Sequence, residues 1–120
     1  MNDFRDLRVW KEAHELTLSV YQLTGEFPKQ EIYGLTSQLR RAVVSIATNL
    51  AEGRGRGTDR DFGRFVQIAM GSACETEYLL LLSMDLQLAS VEMLDSLLHK
   101  VGEVKKMLSG LIKTLRVVDN

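Results

Sequence analysis

Cysteine, histidine and proline are all scarce in this 120-residue chain, with one, two and one copies, and each shortage removes a class of protein. A lone Cys74 leaves no intrachain disulfide and suits a reducing compartment, so a cytoplasmic location is expected. A chain of this length buries roughly two-thirds of the surface it exposes when unfolded, so one domain spanning 1–120 can hold together on its core alone. With Pro28 the only proline, long segments are free to be helical. No uncharged run approaches the ~18 residues of a membrane span. The opening MNDFRDLRVWKEAHE also lacks the apolar stretch of a secretory signal, so no membrane partner is expected.

The missing side chains also limit the chemistry. His14 stands alone, and His99 follows Asp95 by four residues, a pairing that helix surfaces make routinely. Neither belongs to a Glu-x-x-His pattern and a zinc set needs more than one thiol, so no metal and no cofactor are expected. Cys74 lies beside Ala73 in a helical pattern, as a small buried residue would, and Glu75 and Glu77 disfavour a thiolate there. Those two glutamates are two residues apart and face different directions, so they form no acid–base pair. The glycines at 53, 55 and 57 fail both phosphate-loop templates: Thr58 stands where a dinucleotide fingerprint needs glycine, and no Gly-Lys-Ser/Thr follows. With no catalytic constellation, a non-enzymatic protein is expected.

What is present is helical periodicity. Val9, Ala13, Leu16, Val20 and Leu23 alternate by four and three, which predicts a helix from about Arg8 to Thr24, ended by Gly25 and Pro28. Leu35, Leu39, Ala42, Val43, Ile46, Ala47 and Leu50 share one face of a second helix that starts near Ile32, with Gly53 in the left-handed position beyond its end. Thr58 followed by Asp61 marks the cap of a third helix reaching about Leu88. After a turn at Ala89 and Ser90, the spacing of Leu94, Leu97, Val101, Val104, Leu108, Leu111 and Leu115 predicts a fourth. Short connections make sequential helices antiparallel, so the fold expected is all-α, an up-down-up-down four-helix bundle whose last two helices overhang the first two.

In the third helix Tyr78, Leu79, Leu80, Leu81 and Leu82 are consecutive and point in every direction around the axis. Tyr78, Leu80, Leu81 and Leu82 are therefore expected at an oligomer interface, the alternative being a wide core face with one or two exposed leucines. On the second helix Gln38, Arg41, Ser45, Asn49 and Glu52 form a polar stripe, either a solvated face or an interface in an oligomer.

Charge is balanced overall at −1 but not regionally. Arg40, Arg41, Arg54, Arg56, Arg60 and Arg64 face only three acids between positions 40 and 64. The antiparallel arrangement puts the Gly-Arg-Gly-Arg-Gly loop at the end that carries both termini, with Arg5, Arg8, Lys113 and Arg116, so one end of the bundle becomes basic. These six arginines are the candidate nucleic-acid contacts, their guanidinium forks suited to phosphates beside the backbone donors that open the third helix. The competing explanation is that Arg54 and Arg56 answer the negative end of the second helix while Asp61 and Arg64 form a plain surface pair. Phe62 and Phe65 sit at core spacing, so no aromatic side chain is left to stack on bases.

The segments FRDLRVW (4–10), FPKQE (27–31), YGLTSQLRRAVVSI (33–46), NLAEG (49–53) and IAMGSACETE (68–77), in that order, resemble the bacterial four-helix proteins encoded in intervening sequences of 23S ribosomal RNA genes. The resemblance covers nearly the whole chain. It implies a protomer that assembles into a ring-like homopentamer, and kinship with the accessory variability protein of diversity-generating retroelements, which contacts a reverse transcriptase and nucleic acid. RNA or a ribonucleoprotein is thus the partner expected, and a protein-binding scaffold without nucleic-acid activity is the rival. The matching motif residues are Arg40, Arg41, Asn49, Glu52 and Gly53 together with Gly71, Ser72 and Glu75. Structural roles are expected for several: Gly71 and Ser72 would allow close helix approach, Gly53 would cap, and Asn49 with Glu52 would hold the loop.

Overall fold

The computed structural model describes residues 3–119, with side chains through Arg116. A 3-10 turn at Phe4–Asp6 leads into α1 (Arg8–Thr24), and a second at Lys29–Glu31 precedes α2 (Leu35–Arg54). Helices α3 (Asp59–Asp85) and α4 (Val91–Asp119) complete the chain, and no strand occurs among the described residues. Contacts between helices fix their directions, because one residue number falls as the other rises. Gly53 meets Phe65 and Ser45 meets Ser72 between α2 and α3; Glu77 meets Lys105 and Gly63 meets Leu115 between α3 and α4. Helices α1 and α3 each pack against α2 and α4, so the four form an antiparallel bundle, 47 × 21 × 20 Å.

The seam residues of all four periodic patterns meet in one apolar cluster. Leu16, Val20, Leu23, Leu39, Ile46, Leu50, Val66, Leu94, Val101 and Leu108 are fully enclosed. Buried hydroxyls do not interrupt it: Thr24, Thr76 and Ser83 each donate to the carbonyl four residues back, at 2.7–2.8 Å. Helices α3 and α4, at 27 and 29 residues, outrun α1 and α2, at 17 and 20.

Helix ends follow the local chemistry with three departures from expectation. Thr58 Oγ1 accepts from the Asp61 amide at 3.1 Å, the N-cap expected, and Ser90, expected only as part of a turn, also caps α4, its Oγ accepting from the Met93 amide at 3.2 Å. Helix α2 begins at Leu35 and not Ile32, because Ile32–Gly34 form a turn in which the Gly34 amide bonds Glu31 O, while Glu31 Oε1 faces the Leu35 amide at 3.4 Å. Helix α3 stops at Asp85, three residues early. There Gln87 takes φ 56°, the Gln87 amide bonds Met84 O and the Leu88 amide bonds Ser83 O, the paired bonds of a Schellman end built without glycine.

Gly53 departs most. It is buried inside the last turn of α2, not beyond it, and the left-handed residue of the connection is Gly57, at φ 90°. A Cβ on Gly53 would lie 2.5 Å from Phe65 Cβ and 3.2 Å from Phe62 Cδ1, so the glycine is required by close approach of α3. Gly71 is the opposite case, since a Cβ there would meet nothing within 4 Å. Among the described residues it therefore serves no close helix contact.

Two further expectations are corrected by burial. Leu80 is 0% exposed and belongs to the core of the bundle itself, whereas Tyr78 (60%) and Leu81 (47%) face outward and Leu82 is half-buried. Consecutive helical residues turn by about 100°, so this run splits between core and surface. Cys74, one step from buried Ala73, is turned into solvent and is not the small buried residue expected.

Replacing Gly53 by Ala should therefore lower the unfolding free energy by roughly 1–3 kcal/mol through overpacking, although alanine favours helix. Gly71→Ala should raise it by up to about 1 kcal/mol. Urea titrations of dilute protein read both; equal losses in the two variants would contradict the packing described.

Candidate nucleic-acid interface

The structure does not gather the six arginines into one site. Arg40 lies at the end of the bundle away from the glycine loop, where its Nε donates to Thr24 Oγ1 at 2.8 Å and a terminal nitrogen reaches Tyr21 O at 3.4 Å. Its guanidinium also covers the Tyr21 ring, 4.6 Å from the centroid. Arg40 thus closes the C-terminal turn of α1, a role that needs a cation beside exposed carbonyls. Arg41, one residue on, faces outward between α2 and α3, far along the helix from Arg54.

The two loop arginines are largely occupied. Arg56 pairs with Glu52 at 3.0 Å and lies over the Phe65 ring at 5.0 Å, while half-buried Arg54 sits over Phe62 at 5.2 Å. Arg54 Nε is buried without a hydrogen-bond partner among the described residues. The loop is therefore held by cation–π contacts on the two phenylalanines that also enclose Gly53, and it is not the flexible pair of forks expected from its glycines.

Arg60 and Arg64 remain, one turn apart on the exposed side of α3. Arg64 has only the 3.7 Å surface contact with Asp61, and Arg60 has no ion pair among the described residues. Both line an open groove of about 570 Å³ between the start of α3 and the end of α4, with Gln67 beside them and Arg116 contributed by α4. Ile68, Ile112 and Leu115 supply its apolar lining, and Asp59 is the one acid among the described residues that line it. Arg116 was legible as part of the basic end. Its place in this groove depends on the register that sets Gly63 against Leu115, with 3.9 Å from a built Cβ to Leu115 Cβ.

A second groove, about 530 Å³, runs along the outer seam of α2 and α3. It is lined by Tyr33, Ser37, Gln38, Arg41, Ser45, Ser72 and Glu75, which turns the polar stripe of α2 into one wall of a two-helix surface. Ser72 Oγ and Ser45 Oγ bond across it at 2.8 Å, and Asn49 Nδ2 donates to Ser45 Oγ and O at 2.9 and 2.8 Å. Among the described residues no three His, Cys, Asp or Glu side chains gather as a metal site would require. No helix among the described residues is long and apolar enough to cross a membrane.

Residues 5–110 match the family described as 23S rRNA-intervening sequence protein. The chain belongs to that family. Among solved structures it is similar to a protein of unknown function from the S23 ribosomal protein family of Bacteroides thetaiotaomicron, 26% identical, with a TM-score of 0.81 over 88% of this chain and 98% of that one. No curated protein is significantly similar in sequence. Of the motif residues that the resemblance implies, Arg41, Ser72 and Glu75 line the α2–α3 seam and Asn49 braces it through Ser45. Glu52 and Gly53 instead shape the turn below, Glu52 by holding Arg56 and Gly53 by admitting Phe65. Asn49 does not reach the loop, contrary to expectation.

Helices α3 and α4 are also tied by Glu77 and Lys105, 2.9 Å apart and each about one-third exposed. The hydrogen bond to Glu77 raises the Lys105 pKa above its ordinary 10.5, against a smaller opposing effect of burial and with a further upward push from nearby Cys74. Folded Lys105 holds its proton more tightly than unfolded Lys105, so the pair's contribution is complete below pH 10.5 and is lost as pH rises through the folded value. The stability difference between the native chain and Lys105→Met should be less than about 1 kcal/mol at pH 7 and should shrink above that point. Urea titrations between neutral and alkaline pH test this; a difference that grows with pH would contradict it.

Proposed function

We propose that this 23S rRNA-intervening sequence protein is a non-enzymatic cytoplasmic bundle that binds RNA, alone or in a ribonucleoprotein, through the groove between α3 and α4. The observation that carries this reading is the meeting of Arg60, Arg64 and Arg116 in one open groove with a single acid among its described lining residues. Guanidinium groups match phosphate oxygens bidentately, and among the described residues none of the three is held by the fold as Arg40, Arg54 and Arg56 are. The family's description ties these proteins to 23S rRNA intervening sequences and names no ligand, so the choice of polyanion rests on the guanidinium groups of the groove.

Self-assembly belongs to the same proposal, with five copies as the resemblance implies. Tyr33 is 96% exposed, Tyr78 and Leu81 lie outward on α3, and Gly71 between them and Arg64 leaves helix backbone open to a neighbour. Tyrosine and arginine are the side chains that dominate protein interfaces, and Tyr33 and Arg41 share the seam. That same surface supports the rival reading, a protein-binding scaffold.

Fluorescence anisotropy of an RNA that carries both stems and single-stranded segments, titrated at several salt concentrations, tests the choice. Binding should weaken with salt, and a variant with Arg60, Arg64 and Arg116 changed to Glu should lose it. Milder Gln replacements should flatten the log–log salt slope by roughly 2, at about 0.7 per single-strand phosphate contact. Absence of RNA binding, together with a salt-insensitive complex with a protein, would favour the scaffold.

A further inference from the structure

We infer that the α3–α4 groove takes single-stranded RNA and not a duplex, seating an unstacked base on its apolar floor while the arginines hold the adjoining phosphates. This rests on the reading of the groove as the RNA site. A surface that tracked only a duplex backbone would need cations on a polar face. Here the basic groups flank exposed hydrocarbon: Ile68 is 49% exposed, and Ile112 and Leu115 continue the strip across to α4. Duplex phosphates would leave that strip wet or press charge against it, which is unfavourable either way. A base turned out of a single strand offers an apolar face to cover it and phosphates on both sides to satisfy the rims.

The placement of the polar groups agrees. Arg60 and Arg64 lie one turn apart, roughly 6 Å along α3, and Arg116 stands on the other helix. Gln67 lies in the same groove with an amide that both donates and accepts, as the edge of a base requires. Gly63 keeps the wall open: a Cβ there would touch only Leu115, at 3.9 Å, so no packing within the protomer demands glycine. No aromatic ring lines the groove, so the base rests on aliphatic carbon and discrimination among bases is weak.

The test compares a labelled single strand of about 12 nucleotides with a hairpin of matching composition, using the whole protein and two variants at exposed Ile68. The single strand should bind at least about tenfold more tightly than the hairpin stem. Ile68→Ser should weaken it severalfold without changing the salt slope, since no phosphate contact is lost. Ile68→Trp, which adds a stacking surface, should tighten it by about tenfold and leave the hairpin unaffected. Equal or tighter binding of the hairpin, or no response to either variant, would overturn the single-strand inference and leave the phosphate reading intact. If neither RNA binds, or an acidic peptide such as oligoglutamate binds in its place, the RNA reading itself fails.

Discussion

The close approach of Gly53 to Phe65 is the contact on which the basic end of this molecule depends. With no Cβ at position 53, the last turn of α2 can lie against the first turns of α3, and residues 55–58 suffice to reverse the chain. The two phenylalanines that fill the space then present ring faces to Arg54 and Arg56, which fixes the loop. Thr58 caps α3 at that point, and the helical phase follows: Phe62, Val66, Ala69 and Ala73 turn into the core, while Arg60, Arg64 and Gln67 turn out. The groove follows from a contact that none of its lining residues makes.

Arginine serves two purposes in this chain, and the surroundings decide which. Where a guanidinium finds helix-end carbonyls, a carboxylate one turn away or an aromatic face, it is held, as Arg40, Arg56 and Arg54 are. In the groove between the start of α3 and the end of α4, nothing among the described residues competes strongly with a polyanion for Arg60, Arg64 and Arg116. Most of the local positive excess therefore goes to building the end of the bundle, and its position on the molecule matters more than the net charge.

The four helices, their antiparallel order and the cap at Thr58 were legible because three–four spacing and a hydroxyl followed by an acid are local signals. What was not legible depends on distant neighbours. A glycine after an apolar helix face can mark a left-handed end or a close crossing, and only Phe65, twelve residues on, shows that Gly53 is the second kind. Five consecutive residues from Tyr78 to Leu82 cannot reveal which of them faces a partner helix; the bundle places Leu79 and Leu80 inside. Arg40 was grouped with the loop by sequence position, yet its partner Thr24 lies on another helix. The candidate groove was half legible, since Arg60 and Arg64 stood out while Arg116, Gln67 and the aliphatic floor required the register of α3 on α4.

The most direct test of the RNA site is the map of backbone amide shifts in nitrogen-15-labelled protein as single-stranded RNA is added. Shifts concentrated at residues 59–68 and 112–116, with residues 33–45 quiet, are the result expected of the groove between α3 and α4. Shifts centred on the α2–α3 seam around Tyr33 and Arg41, with the groove quiet, would contradict it and place the binding surface on the other side of α3.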